Sequence, residues 1–199
     1  MKNLAKKQTT KFQSLIWNHY KKHGREMPWR GEKSAYKVLV SEIMLQQTQV
    51  SRVLSKYPQF LKVFPSIESL AKASLSVVLR SWQGLGYNRR AKFLHQLAKE
   101  VVLRHEGKIP KDYEELIALP GIGKATAGSL SAFAFNIPVP FIETNIRRVY
   151  IHHFFADRND VLDVEILKLV ELTLDKANPR EWYYALGLWS LFEKPSFES

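Results

Sequence analysis

Cysteine is absent from the 199 residues, which excludes disulfides, thiolate zinc sites and cysteine-ligated iron–sulfur clusters. Acidic residues are few beside basic ones: 19 Asp and Glu against 30 Lys and Arg leave a formal net charge of +11. Long apolar runs are also missing, so no membrane span is expected. The stretch Met1–Gln13 is basic without the apolar centre of an export signal, and the expectation is a cytoplasmic protein. No internal repeat, low-complexity stretch or linker-like boundary interrupts the chain.

Hydrophobic residues make up 45% of the chain, enough for one substantial core or two small interlocked ones. The excess of positive charge favours an anionic partner, with nucleic acid first among them and a merely basic surface as the alternative. Apolar spacing is helical almost throughout, which predicts an all-α protein. Thr9 or Thr10 caps a first helix with Phe12, Leu15, Ile16 and Tyr20 at helical spacing, ending in Lys21–Gly24. Further helices are predicted over Tyr36–Leu45, Val50–Phe64, after Ser66, after Ser74, and over Arg89–His105. Tyr113–Ala118, Ala125–Phe135, Asn145–Phe155, Val164–Ala177 and Arg180–Phe192 complete the set. Val139 and its neighbours are the one place where a strand is plausible.

Four segments carry candidate chemistry. The first is Leu119-Pro120-Gly121-Ile122-Gly123-Lys124, between two helical stretches. Its glycines can turn the chain tightly and bring bare N–H groups to a helix start, where a phosphate oxygen binds directly or through a monovalent cation. An ordinary helix–helix turn is the alternative. The second is Glu42, a carboxylate in an otherwise apolar helix, followed by Gln46, Gln47 and Thr48. Burial raises a carboxyl pKa and suits it to general-acid work, while the amides can replace lost base-pair hydrogen bonds; a half-buried salt bridge is the competing reading.

The third segment places Glu143 after Pro138 and Pro140 at a helix mouth, with Thr144 or Asn145 as caps and Arg147 and Arg148 behind. On its own that pattern reads as ordinary capping ahead of catalysis. The fourth is Gly84-Leu85-Gly86-Tyr87 with Arg89 and Arg90. Tyr87 is either an exposed wedge for a base stack or a core tyrosine. The histidines are expected to form no metal pattern, with the neighbours His152 and His153 pointing apart.

In this order, Pro28-Trp29-Arg30, Tyr36-Lys37-Val38, SEIMLQQTQV over 41–50, GLGY over 84–87, LPGIGKATAG over 119–128 and the 141–149 segment resemble the helix-hairpin-helix (HhH-GPD) DNA glycosylases. Within that family the chain is most similar to the catalytic core of A/G-specific adenine glycosylases, from about Met27 to Val149. The resemblance implies two interleaved helical subdomains. One is a six-helix module over 31–136 carrying the hairpin, and the other comprises 1–30 with 137–199. It implies a monomeric, monofunctional N-glycosylase at the nucleoid that flips a base from double-stranded DNA carrying a damaged or mismatched base. The expected base is adenine opposite guanine or 8-oxoguanine; a uracil or thymine mismatch glycosylase and a catalytically weak lesion binder are the alternatives.

By the same resemblance, Glu42 is the acid and Glu143 stands where the family keeps an aspartate. Gln47 and Tyr87 invade the duplex, while Arg30, Gln46, Thr48 and Asn145 contact DNA or the base pocket. Leu119, Gly121, Gly123 and Lys124 form the phosphate-binding hairpin. No metal or cofactor is expected beyond a monovalent cation at the hairpin. Many relatives carry a four-cysteine cluster near the C-terminus; here Trp182, Tyr183, Leu186, Leu188, Trp189 and Phe192 are expected to pack that lobe. The domain that reads 8-oxoguanine in adenine glycosylases is expected to be missing. Where bifunctional relatives have a nucleophilic lysine, this sequence has Ala125, with Lys124 one place earlier.

Overall fold

The computed structural model describes residues 2–24 and 27–189. Among them are eleven helices and no strand. Residues 27–135 form one compact unit, and the described residues on either side form a second.

Helix α2 (Ala35–Leu45) runs through the middle of the first unit, packed against α3 (Val50–Val63), α6 (Asn88–Arg104) and α8 (Lys124–Phe135). That position explains its nearly continuous apolar sequence, with Tyr36, Val38, Leu39, Val40, Ile43 and Met44 all buried. Its start is fixed by Ser34, whose side chain accepts from the Lys37 N–H. Helix α8, which packs on α2, buries the small residues Ala127, Gly128, Ser129, Ser131 and Ala132, and side chains of that size let backbones approach closely. Pro58 sits inside α3 without ending it. Short helices α4 (Ile67–Lys72), α5 (Leu75–Ser81) and α7 (Tyr113–Ala118) complete the unit. Ser66 and Ser69 cap α4 reciprocally, and Asp112 caps α7 by accepting from the Glu114 and Glu115 N–H groups at 3.0 Å. The unit therefore holds seven helices, α2 to α8, with α4 and α5 separate as the sequence predicts.

The second unit contains α1 (Lys2–His23), α9 (Thr144–Phe154), α10 (Asp163–Thr173) and α11 (Pro179–Trp189). Phe12 is its aromatic hub, with ring centroids 5.3 Å from Tyr150, 5.0 Å from Phe154 and 6.0 Å from Trp182. Trp182, Tyr183, Leu186 and Leu188 are buried and Trp189 is half-buried, while Phe192 lies outside the described residues.

Four expectations need correction. Helix α1 is already formed at Lys2, so Thr9 and Thr10 lie inside it; the preceding Lys, Leu, Ala and Gln are good helix formers with no breaker among them. Leu15 faces out at 42% exposure. Val139 belongs to no strand, because the prolines on either side remove two ladder donors and its own N–H bonds to the Ile137 carbonyl at 2.9 Å. Helix α10 ends at Thr173, well before Ala177, because the Asp175 carboxylate takes the Ala177 and Asn178 N–H groups at 3.0 and 3.1 Å and sets a turn instead.

Candidate functional site

The hairpin lies between α7 and α8. Leu119 and Ile122 are buried anchors, and the Ile122 N–H closes the turn on the Leu119 carbonyl at 3.1 Å. Leu119 therefore shapes the loop from inside and is not on its surface. Gly121 takes φ +78°, and a Cβ there would stand 2.6 Å from Phe93 Cβ, so both backbone and packing demand glycine. Gly123 differs: nothing lies within 4 Å of where its Cβ would be. Gly123, Lys124 and Ala125 are exposed at the head of α8, where the first N–H groups of a helix have no intrahelical partner. Tyr113 ties the two helices together by donating to the Lys124 carbonyl at 3.2 Å.

Two exposed tips share the same unit. Gln47 sits at φ 51° and Tyr87 at φ 47°, both left-handed and neither a glycine, a conformation that costs on the order of 1 kcal/mol each. Tyr87 is 64% exposed, which removes the core-tyrosine alternative. Gln46 and Thr48 are spent internally. The Gln46 amide donates to Thr126 Oγ1 at 3.2 Å, and the Thr48 hydroxyl bonds to the Gln46 carbonyl at 3.1 Å. Of the Gln-Gln-Thr cluster, Gln47 alone is an exposed residue.

Sequence reasoning missed Arg90, the residue between the tips. Its Nη1 donates to the carbonyls of Ile43, Met44 and Gln46 at 2.8, 3.0 and 2.5 Å. Its Nη2 donates to Thr48 Oγ1 and to the carbonyls of Leu85 and Gly86 at 2.9, 2.9 and 3.2 Å. The guanidinium also lies 5.5 Å from the Tyr87 ring centroid. Burial pulls its pKa below the ordinary arginine range. No sequence signal separates it from its exposed neighbour Arg89.

Glu42 is half-buried on α2, between the buried Ser41 and Ile43. Arg30 lies in the same unit, in the turn that precedes α2, also half-buried. Glu143 belongs to the second unit and is the N-cap residue of α9, with its side chain making no cap hydrogen bond. Thr144 and Asn145 are inside the helix, so neither caps it. Burial raises the Glu143 carboxyl above the ordinary carboxylate range, while a hydrogen bond with the Asn145 side chain works the other way. The residue is nonetheless exposed at the surface. Arg147 is committed to structure, paired with Asp163 and donating to the Val161 carbonyl at 2.7 Å.

Two pairs of histidines bring their rings together. The His152 and His153 rings meet edge to face at 4.9 Å rather than pointing apart. His19 and His23 have the four-residue helical spacing that brings rings together, and their centroids are 4.7 Å apart. Among the described residues no group of three or more His, Cys, Asp or Glu is placed to hold a metal ion. With no cysteine in the sequence, a four-thiolate cluster has no ligands here. Among the same residues, no helix is long and apolar enough to cross a membrane.

The profile of the HhH-GPD superfamily base excision DNA repair proteins matches residues 40–171. The chain is 40% identical over 172 residues to adenine DNA glycosylase of Buchnera aphidicola subsp. Baizongia pistaciae, covering 86% of this chain and 48% of that protein. It is 43% identical over 136 residues to adenine DNA glycosylase of Mycobacterium tuberculosis, covering 68% of this chain and 44% of that protein. The chain thus spans about half the length of these relatives. In fold it is similar to a thermostable thymine-DNA glycosylase, with TM-score 0.88, 24% identity, and coverage of 96% of this chain and 90% of that one. An endonuclease III solved in a non-covalent DNA complex follows at TM-score 0.79 and 16% identity, covering 96% and 89%. The chain belongs to the HhH-GPD superfamily of base excision DNA repair proteins.

Proposed function

We propose that this protein is a monofunctional DNA glycosylase that removes adenine mispaired with guanine or 8-oxoguanine. The observation that carries the reading is the 40% identity to an adenine DNA glycosylase across 86% of the chain. In this reaction the Glu42 carboxyl gives its proton to adenine N7, and the C1′–N9 bond breaks with its electron pair leaving on the base. Positive charge then develops on the sugar, and a Glu143 carboxylate stabilises it. Water adds to C1′ and passes a proton back to Glu42, which restores the acid.

Purine chemistry fits an acid of this kind, since adenine is a poor leaving group until protonated. Gln47 and Tyr87 hold the duplex open around the extruded base, and Arg30 and Asn145 each contact DNA. The N–H groups of Gly123 and Lys124 take a phosphate of the backbone, directly or through a monovalent cation. Ala125 offers no amine for imine formation, so hydrolysis ends at the abasic site. The protein acts as a monomer on nucleoid DNA.

Single-turnover excision on duplexes carrying adenine opposite guanine or 8-oxoguanine, and uracil or thymine opposite guanine, tests the reading. Adenine is released fastest and borohydride traps no protein–DNA adduct. Faster release of uracil or thymine assigns the other substrate class, and a chain that binds but releases nothing is a lesion binder.

A further inference from the structure

We propose that Arg90 is a positioning residue that locks the Gln47 and Tyr87 tips into one preformed two-pronged wedge. The inference rests on the glycosylase reading for the use of the wedge, and on geometry alone for the lock. One guanidinium donates to six neutral acceptors: the Ile43, Met44 and Gln46 carbonyls and Thr48 Oγ1 at the end of α2 and in the loop after it, and the Leu85 and Gly86 carbonyls in the loop before α6. Three of those acceptors lie at or just beyond the C-terminal turn of α2, where a cation is favoured by the helix dipole and orphan carbonyls need donors.

Each tip holds a non-glycine residue in left-handed backbone, which relaxes unless its surroundings over-determine it. Arg90 bonds to the Gln46 carbonyl before Gln47, to the Thr48 hydroxyl after it and to the Gly86 carbonyl on the chain entering Tyr87. Its planar fork suits that task and an ammonium does not, since a lysine offers one point rather than two prongs. Because each acceptor is neutral, the positive charge is not cancelled by the contacts it makes. A base leaving the stack then meets two side chains already in place, and ordering costs that would fall on the extrusion step are met in the free protein.

Amide exchange of the free protein and single-turnover excision, run on the same variants, test this. Arg90→Lys keeps the charge and removes the fork. In that variant amides over 46–49 and 84–88 exchange roughly tenfold faster, while those from Leu94 to Val101 in α6 hold their rates. Excision slows by about 10²-fold, while affinity for undamaged duplex and its salt dependence stay at parent values. Thr48→Ala, which deletes one Arg90 acceptor together with the hydroxyl's own bonds to the Gln46 and Leu85 carbonyls, moves the same readouts in the same direction by less, and serves where Arg90→Lys fails to fold. Val101→Ala, a truncation in the buried face of α6, lowers the melting temperature and leaves the tips' exchange unchanged. Parent-like exchange at the tips in Arg90→Lys and Thr48→Ala overturns the proposal, as does faster exchange with excision at the parent rate. A parent protein that excises no base defeats the glycosylase reading instead, and the exchange comparison then decides the lock by itself.

Discussion

Gln46 donates its side-chain amide to the Thr126 hydroxyl at 3.2 Å, joining the end of α2 to the first turn of α8. The helix that carries Glu42 is thereby fastened to the helix that follows the glycine hairpin. Thr126→Val keeps the shape and deletes the hydroxyl, leaving a half-buried amide short of a partner. The expected loss is about 1 kcal/mol, read as a fall of roughly 2–4 °C in melting temperature. A melting temperature at the parent value removes this bond from the account.

The two hairpin glycines separate fold from ligand. Gly121→Ala meets Phe93 and a left-handed backbone, so it is expected to lower stability in the absence of DNA. Gly123→Val meets open space in the free protein, so it folds nearly as well as the parent and loses affinity for duplexes of every sequence. The measurement is a melting curve beside DNA titrations at several salt concentrations. Full affinity in Gly123→Val places the phosphate elsewhere.

Glu143→Gln preserves size and removes charge. If the carboxylate supports the charged sugar, single-turnover excision falls by about 10²–10³-fold. Its raised pKa adds a second signature. The ionised form is the active one, so excision drops as pH falls through a value above the ordinary carboxylate range. Glu143→Asp restores the residue usual in the family, and equal or higher activity shows that the pocket still accepts the shorter side chain. Near-parent rates in Glu143→Gln move the chemistry to Glu42 alone.

His95 gives a stability prediction. It is 4% exposed, its Nε2 lies 3.0 Å from the Ala73 carbonyl, and burial, aided by Lys99, lowers its pKa below 6.5. The unfolded chain binds the proton more readily than the folded one. Stability from this group is therefore present above the unfolded value of 6.5 and is lost as pH falls below it, levelling off beneath the folded value. Denaturant midpoints measured between neutral and acidic pH are expected to show that slope, and His95→Gln to flatten it.

The sequence made some of this plain and hid the rest for identifiable reasons. Helix α2 is legible because its burial on several sides writes a continuous apolar run bounded by Ser34 and the Gln pair. The hairpin is legible because Pro120, Gly121 and Gly123 are local signals. Tyr87 was left open between surface and core, since an aromatic beside glycines fits both, and only its 64% exposure decides. Arg90 was illegible, because its role comes from reaching carbonyls more than forty positions earlier, from Ile43 to Gln46, and arginine carries no mark of such a commitment. Arg147 is bound to the start of α10, another pairing with no local signature. The early start of α1 escaped because polar helix formers without periodic apolar residues look like a tail.

The central claim is that Glu42 is the acid that drives base release. Parent protein and Glu42→Gln are compared at saturating enzyme on a duplex carrying adenine opposite 8-oxoguanine, with affinity for the same duplex measured in parallel. The account predicts that Glu42→Gln binds as the parent does and releases no detectable adenine. Excision by Glu42→Gln within a few-fold of the parent rate contradicts it.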